Sequence, residues 1–106
     1  MRPLSEILTD LIGHAEEIIN RPARFQGHDA RFAALAAEVR RAESRPAEGV
    51  RTTFAAMAML SSIEGFYAGY REATCPFLML AGTALPLLRA EAWRARRNET
   101  EARAAS

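Results

Sequence analysis

Apolar residues between Pro3 and Pro22 recur every three or four positions along the chain. They are Leu4, Ile7, Leu8, Leu11, Ile12, Ala15, Ile18 and Ile19. Because an α-helix completes a turn every 3.6 residues, this spacing places one apolar stripe along a helix. The opposite side is acidic. The pattern therefore predicts an amphipathic helix that must bury one face against other helices.

Two further helices are predicted between Gly27 and Glu72. The second covers about 29–43, with Phe32, Leu35, Ala36 and Val39 on one apolar side, and ends before Pro46. The third runs from Pro46 to about Glu72, and its middle, FAAMAMLSSI, is apolar on most sides. A helix of that composition is typical of the centre of a bundle. Gly65 and Gly69 stand four apart in it, so another helix could approach closely on that side.

The C-terminal third of the chain begins a fourth helical segment at Pro76. Pro86 follows ten residues later and predicts either a kink or a break, because an interior proline removes a helical hydrogen bond. Alternating β patterns and hairpin turn signals are absent from the sequence.

These segments predict an all-α fold, a compact bundle of four to five antiparallel helices joined by short loops. We expect the third helix to be central, with the first helix and the segment Phe77–Leu88 packed on it. A chain of 106 residues forms one domain. We expect the bundle to occupy residues 1–97, and residues 98–106 to form a polar tail that frays or is disordered.

The stretch from Ala73 to Leu88 contains sixteen residues and no charge. A membrane-spanning helix needs roughly 20 apolar residues, and Gly82 and Pro86 dilute even this run. The stretch therefore predicts a helix buried in its own bundle, with an interfacial membrane helix as the alternative. Since the N-terminus shows no apolar leader, we expect a cytoplasmic protein.

The charges give little indication of the partner. The net charge is +1, and all fourteen basic residues are arginine, which indicates a GC-rich bacterial gene more than fourteen selected sites. A basic patch can still be defined on the second helix and the C-terminal segment. Its candidates are Arg40, Arg41, Arg94, Arg96 and Arg97. Interleaved glutamates predict that the C-terminal arginines pair with their own helix, with phosphate binding as the alternative.

Few residues offer reactive chemistry. Cys75 is the only cysteine, so one chain can form neither a disulfide nor a cysteine-based zinc cluster. Its place at a helix start favours a reactive thiolate, yet no base can be assigned to it, and we expect a structural cysteine. His14 pairs with Asp10 on the polar side of the first helix, which supplies at most two metal ligands. No metal or cofactor is expected.

Glu64 lies in the helix that we expect to be central. A buried carboxylate needs a partner, and Arg51 or Arg71 is the expected one, with Glu64 forming the polar edge of that helix. The alternative is a ligand-binding or enzymatic bundle around Glu64 and Cys75. Since no catalytic motif supports this alternative, we expect a protein that is not an enzyme.

Large apolar side chains are numerous for so short a chain. They include Phe54, Met57, Met59, Phe66, Tyr67, Tyr70, Phe77, Met79 and Trp93. Aromatic and methionine side chains are enriched at interfaces, so we expect a small non-enzymatic interaction protein such as an adaptor, a chaperone-like protein or a regulator. The candidate interface residues are Gly65, Gly69, Tyr70 and Trp93, with homodimerisation as the expected form. A nucleic-acid-associated regulator that uses the basic patch is the first alternative.

Overall fold

The computed structural model describes residues 2–25, 30–43, 50–69 and 76–105. Over these ranges the chain forms four α-helices and no strand, with a 3₁₀ turn at Pro22–Arg24. The helices are α1 (Leu4–Asn20), α2 (Ala30–Glu43), α3 (Val50–Gly69) and α4 (Pro76–Ala105). The prediction of an all-α bundle is confirmed.

The buried faces of α1 and α2 follow their apolar spacing. In α1 the predicted stripe from Leu4 to Ile18 is buried, and Ile12 and Ile19 pack partly buried against the same core. In α2 the buried positions are Phe32, Leu35, Ala36, Val39 and Ala42. Both helices therefore bury the side that their sequences predict.

The long helix α4 runs antiparallel to both α1 and α3. Gly65 of α3 lies beside Phe77 at one end of α4, and Thr52 bonds Glu91 further along. On the other side of α4, Glu99 bonds Ser5 of α1. α4 makes extensive contacts with α1 and with α3, whereas α1 and α3 contact each other at only a few positions. The central role expected for α3 is not confirmed, since α4 has the most extensive contacts.

α4 continues through Pro86 as one helix of 30 residues. Of the two alternatives for Pro86, the break therefore does not occur. Pro86 and Gly82, whose carbonyl loses its helical partner, are both exposed. Water can bond that carbonyl, so the missing hydrogen bond is tolerated on this side of the helix. None of the described helices is long and apolar enough to cross a membrane.

The polar C-terminal segment continues α4 as far as Ala105. Within it, Glu99 accepts hydrogen bonds from the backbone N–H of Ser5 at 3.0 Å and from its hydroxyl at 2.6 Å. The residue before α1, Pro3, makes no side-chain capping bond. Glu99 therefore satisfies a donor in the first turn of α1, where a negative charge also complements the helix dipole.

α3 is continuous through Gly65 and ends at Gly69, while its predicted end near Glu72 lies outside the described residues. A Cβ built on Gly65 would overlap the ring of Phe77. Gly65 is thus the position at which the first turn of α4 packs closely on α3. The close helix approach predicted at Gly65 occurs within the chain itself.

We expect Gly13→Ala to raise the free energy of unfolding by about 1 kcal/mol, because Gly13 is exposed within α1 and alanine favours helix. A Cβ at Gly13 would meet nothing within 4 Å. Gly65→Ala should lack this gain, since Phe77 has to move away. Urea denaturation of both variants measures the difference. Equal stabilisation by the two substitutions would contradict the close contact of Phe77 with α3.

Candidate interaction surface

An apolar groove of about 370 Å³ lies between α3 and α4. Its lining includes Ala58, Ser61, Phe77, Leu80, Thr83 and Leu87. Ala58 and Ser61 lie three apart on one side of α3, and Leu80, Thr83 and Leu87 follow the same three-and-four spacing on α4. The two helices therefore present matching stripes to the groove.

The largest exposed apolar side chains of the described residues all belong to α3 and α4. They are Phe54, Phe77, Met79, Leu80, Leu87 and Trp93. Phe77, Leu80 and Leu87 line the groove, and we call the surface around the groove the apolar face. Leu80 and Leu87 are each 55% exposed, and Phe54 is 68% exposed. Neither Thr52–Ile63 of α3 nor Pro76–Leu88 of α4 contains a charged residue.

The position of the apolar face corrects the expectation that the charge-free run is buried in its own bundle. Ala81, Ala84, Leu85 and Leu88 are buried, but the remaining side of the helix faces outward. The segment is apolar around most of its circumference, and among the described elements α1 and α3 make the extensive contacts with it.

The four candidate interface residues have different surroundings. Gly65 is covered by Phe77 of the same chain, and Gly69 is exposed with nothing within 4 Å of an added Cβ. Tyr70 lies outside the described residues. Trp93 is 64% exposed, and the guanidinium carbon of Arg97 lies 4.9 Å from its ring centroid, within the range of a cation–π interaction. Trp93 lies six residues after Leu87, about 120° around the axis of α4 from it, so it is exposed on a different side of the helix from the groove.

The candidate basic patch is largely paired with carboxylates. Arg40 of α2 forms a salt bridge with Glu64, and Arg94 of α4 lies 3.2 Å from Glu91. Arg97 lies 3.9 Å from Glu101. The remaining two candidates, Arg41 of α2 and Arg96 of α4, are exposed. Because their charges are partly neutralised, these arginines offer little of the uncancelled basic surface that phosphate binding needs.

Glu64 is exposed at the edge between α2 and α3, and its partner is Arg40 of α2. Of the two expected partners, Arg71 and the side chain of Arg51 lie outside the described part of the chain. A cleft of about 400 Å³ lies beside the pair and is also lined by Phe32 and Tyr67. Cys75, the second residue of the alternative site, lies outside the described residues, as does His28.

His14 is buried at 8% exposure, not on the polar side of α1 as predicted. Its Nε2 lies 3.0 Å from the hydroxyl of Tyr67, and its ring stacks on Phe32 with centroids 5.6 Å apart. Phe25 meets the same ring edge-on at 5.7 Å. The sequence did contain a signal, because Ile7, Leu11, His14 and Ile18 share one core-facing helical spacing. In the described part of the chain, no three histidine, cysteine or acidic side chains are grouped to hold a metal ion.

Glu91, one of the glutamates interleaved with the C-terminal arginines, is a buried carboxylate rather than part of a solvent-exposed helix end. It is 2% exposed, accepts a hydrogen bond from the hydroxyl of Thr52 at 3.1 Å and pairs with Arg94. Thr52 lies in the first turn of α3, where a carboxylate is favoured by the helix dipole. Glu91 and Glu99 thus meet the starts of α3 and α1, two helical turns apart on α4.

Arg2 joins the start of α1 to α2. Its Nε donates to Glu38 Oε2 at 2.9 Å and its Nη2 to Glu38 Oε1 at 2.7 Å, and it also pairs with Asp10. Such a bidentate contact is the strongest form of an arginine–carboxylate pair. The hydrogen bonds from Arg2 lower the pKa of Glu38 below its ordinary value of about 4.5.

Because this pKa is lowered in the folded state, Glu38 contributes stability that is complete above about pH 4.5 and is lost as the pH falls through its folded pKa. We expect Glu38→Gln to reduce the melting temperature at about pH 7. The melting temperature of this variant should also fall less than that of wild type as the pH is lowered. Thermal melts from about pH 7 to about pH 3 test this. Glu101→Gln, an exposed site at the far end of α4, is the control. If the melting temperatures of wild type and Glu38→Gln change with pH in the same way, Glu38 does not make this contribution to stability.

Comparisons with protein-family models, with curated proteins and with solved structures give no match for this chain. Its function therefore has to be inferred from the chemistry of its surfaces. The groove of the apolar face is lined by apolar and hydroxyl side chains and by no ionised group. A surface of this composition is suited to binding.

Proposed function

We propose that this chain is a small non-enzymatic protein–protein interaction module and that the apolar face is its binding surface. One observation carries the proposal. Of the described residues, every large apolar side chain that is strongly exposed lies on α3 or α4. Apolar surface gains free energy when it leaves water, at about 25 cal/mol for each Å². Its concentration on one pair of helices supports a dedicated docking surface.

The form of the surface supports the same proposal. Leu80 and Leu87 border a groove whose floor includes the small residue Ala58, so projecting and recessed positions alternate. A surface with both projecting and recessed positions allows the close packing that specific interfaces need. An adaptor, a chaperone-like protein and a regulator all require a surface of this kind.

The alternative of a nucleic-acid-associated regulator has less support. Three of the five candidate arginines contact carboxylates of the same chain, and the net charge is only +1. Binding to phosphates gains most of its free energy from cations that displace counterions, and cations already paired with carboxylates contribute less.

Affinity capture from the native cells tests the proposal. Wild type, Leu80→Arg and Ala37→Arg would serve as tagged baits, with mass spectrometry to quantify each recovered protein. Leu80 lies on the apolar face and Ala37 is exposed on α2, so both substitutions add one arginine at an exposed helical site. We expect specific partners, including untagged copies of the chain itself, with wild type and Ala37→Arg but not with Leu80→Arg. Identical recovery by all three baits would refute the role of the apolar face.

A further inference from the structure

We propose that the occupant of the apolar face is a second copy of this chain. The protein would then be a two-fold symmetric dimer in which α3 and α4 of one protomer pack on α3 and α4 of its partner. This inference rests on the proposed function, because it names the partner for the same surface.

The exposed area of the chain supports a partner of this size. The folded chain exposes 6651 Å². A monomer of 11.7 kDa is expected to expose about 5,900 Å². The excess of about 750 Å² over the whole chain is close to the roughly 800 Å² that one partner contributes to a stable interface of standard size.

The shape of the chain accounts for the excess area. Its principal extents are 51 × 23 × 20 Å, and its radius of gyration is 14.2 Å, against about 13 Å expected for a compact domain of this length. α4 lies along this rod and keeps one apolar side uncovered. A second copy of the chain packed along α4 would cover the apolar side of this helix that is exposed in the single chain.

The absence of charge in the two sequence stretches favours self-association. In a two-fold interface each patch meets its own copy, so a charge near the axis would face a like charge. The stretches Thr52–Ile63 and Pro76–Leu88 contain no charged residue. Two copies of the apolar face can therefore approach each other without electrostatic repulsion.

Two of the three hydroxyls that line the groove, those of Thr83 and Ser62, are compatible with burial, and the third belongs to the exposed Ser61. The hydroxyl of Thr83 donates to the carbonyl of Met79 at 3.0 Å, and the hydroxyl of Ser62 donates to the carbonyl of Ala58 at 2.8 Å. Both donors are already satisfied, so burying them costs little. Thr83 lies between Leu80 and Leu87 on α4, which places the two-fold axis near Thr83 with the four leucines around it.

Sedimentation equilibrium of the full chain between about 1 and 100 μM tests the dimer. The proteins are wild type, Leu80→Arg, Leu87→Arg and Ala37→Arg, with circular dichroism to verify helicity. We expect wild type and Ala37→Arg to be dimeric at about 10 μM, and the leucine variants to dissociate at least about 100-fold more readily, since each places two cations near the axis. As a direct readout of the axis, Thr83→Cys in a Cys75→Ser background should form a disulfide-linked dimer under mild oxidation, whereas Ala37→Cys should not.

Two results would overturn the inference. The first is a wild-type dimer that Leu80→Arg and Leu87→Arg leave intact, because the interface would then lie elsewhere. The second is a wild-type chain that stays monomeric to about 100 μM, equivalent to a binding free energy no better than roughly −5.5 kcal/mol. If capture of another protein still depends on Leu80 in that case, the proposed function stands without the dimer. If no capture depends on Leu80, both proposals fail.

Discussion

Ile63→Asp is expected to unfold the protein. Ile63 is 1% exposed in α3, and its helical neighbours Met59 and Phe66 are equally buried. An unpaired carboxylate in such surroundings costs several kcal/mol, which is comparable to the roughly 5–15 kcal/mol that stabilises a whole domain. Circular dichroism at room temperature should show loss of helix or a strongly lowered melting temperature.

Two exposed sites provide controls for this substitution. Asn98→Asp introduces the same carboxylate at an exposed position of α4 outside the groove, and Arg96→Ala removes a charge on the outside of the same helix. Both should change the free energy of unfolding by less than about 0.5 kcal/mol. A melting temperature for Ile63→Asp equal to that of wild type would show that this side of α3 is not in the core.

Leu88→Ala should cost about 2–5 kcal/mol of stability, the range for removing a buried leucine side chain and leaving a cavity. Leu88 is fully buried, at 0% exposure, two residues after Pro86. Its burial depends on α4 remaining one helix through the proline. Urea denaturation at about 1 μM measures the effect of the substitution on folding while limiting any contribution from association.

The adjacent Leu87→Ala is the matched control, because it removes the same atoms from a side chain that is 55% exposed. We expect a loss below about 0.5 kcal/mol in the monomer. If the two variants lose equal stability, the rotational register of α4 is different from the one described. If Leu87→Ala also weakens association in the sedimentation experiment, that effect is separable from folding.

The two carboxylates of α4 explain how a helix with one uncovered side keeps a defined position. Glu91 bonds Thr52 at the start of α3, and Glu99 bonds Ser5 at the start of α1. Apolar packing alone tolerates sliding along a helix, whereas hydrogen bonds to a helix start act at one register. These contacts align α4 with both neighbours.

Part of the exposed apolar surface was predictable from the sequence. Trp93 was a candidate interface residue and is exposed, and Phe54 and Met79 were among the large groups expected to need cover. Leu80 and Leu87 were expected to be buried. Their segment is apolar on several sides, so its periodicity does not identify which side faces the core.

The sequence by itself determined the helical class and the buried faces of α1 and α2. Helical periodicity is a local property, since residues three and four apart lie on one face whatever packs against it. The stripe of α1 could therefore be identified without knowing its neighbours, and Gly65 could be recognised as a point of close approach.

Tertiary structure decided which groups meet across different helices. His14 is buried because aromatic rings from three other elements, Phe25, Phe32 and Tyr67, surround it. Glu91 is buried because α3 begins opposite it, and Phe77 rather than another chain covers Gly65. Each outcome depends on the relative position of segments far apart in sequence. That position follows from the packing of the whole bundle, which local spacing does not encode.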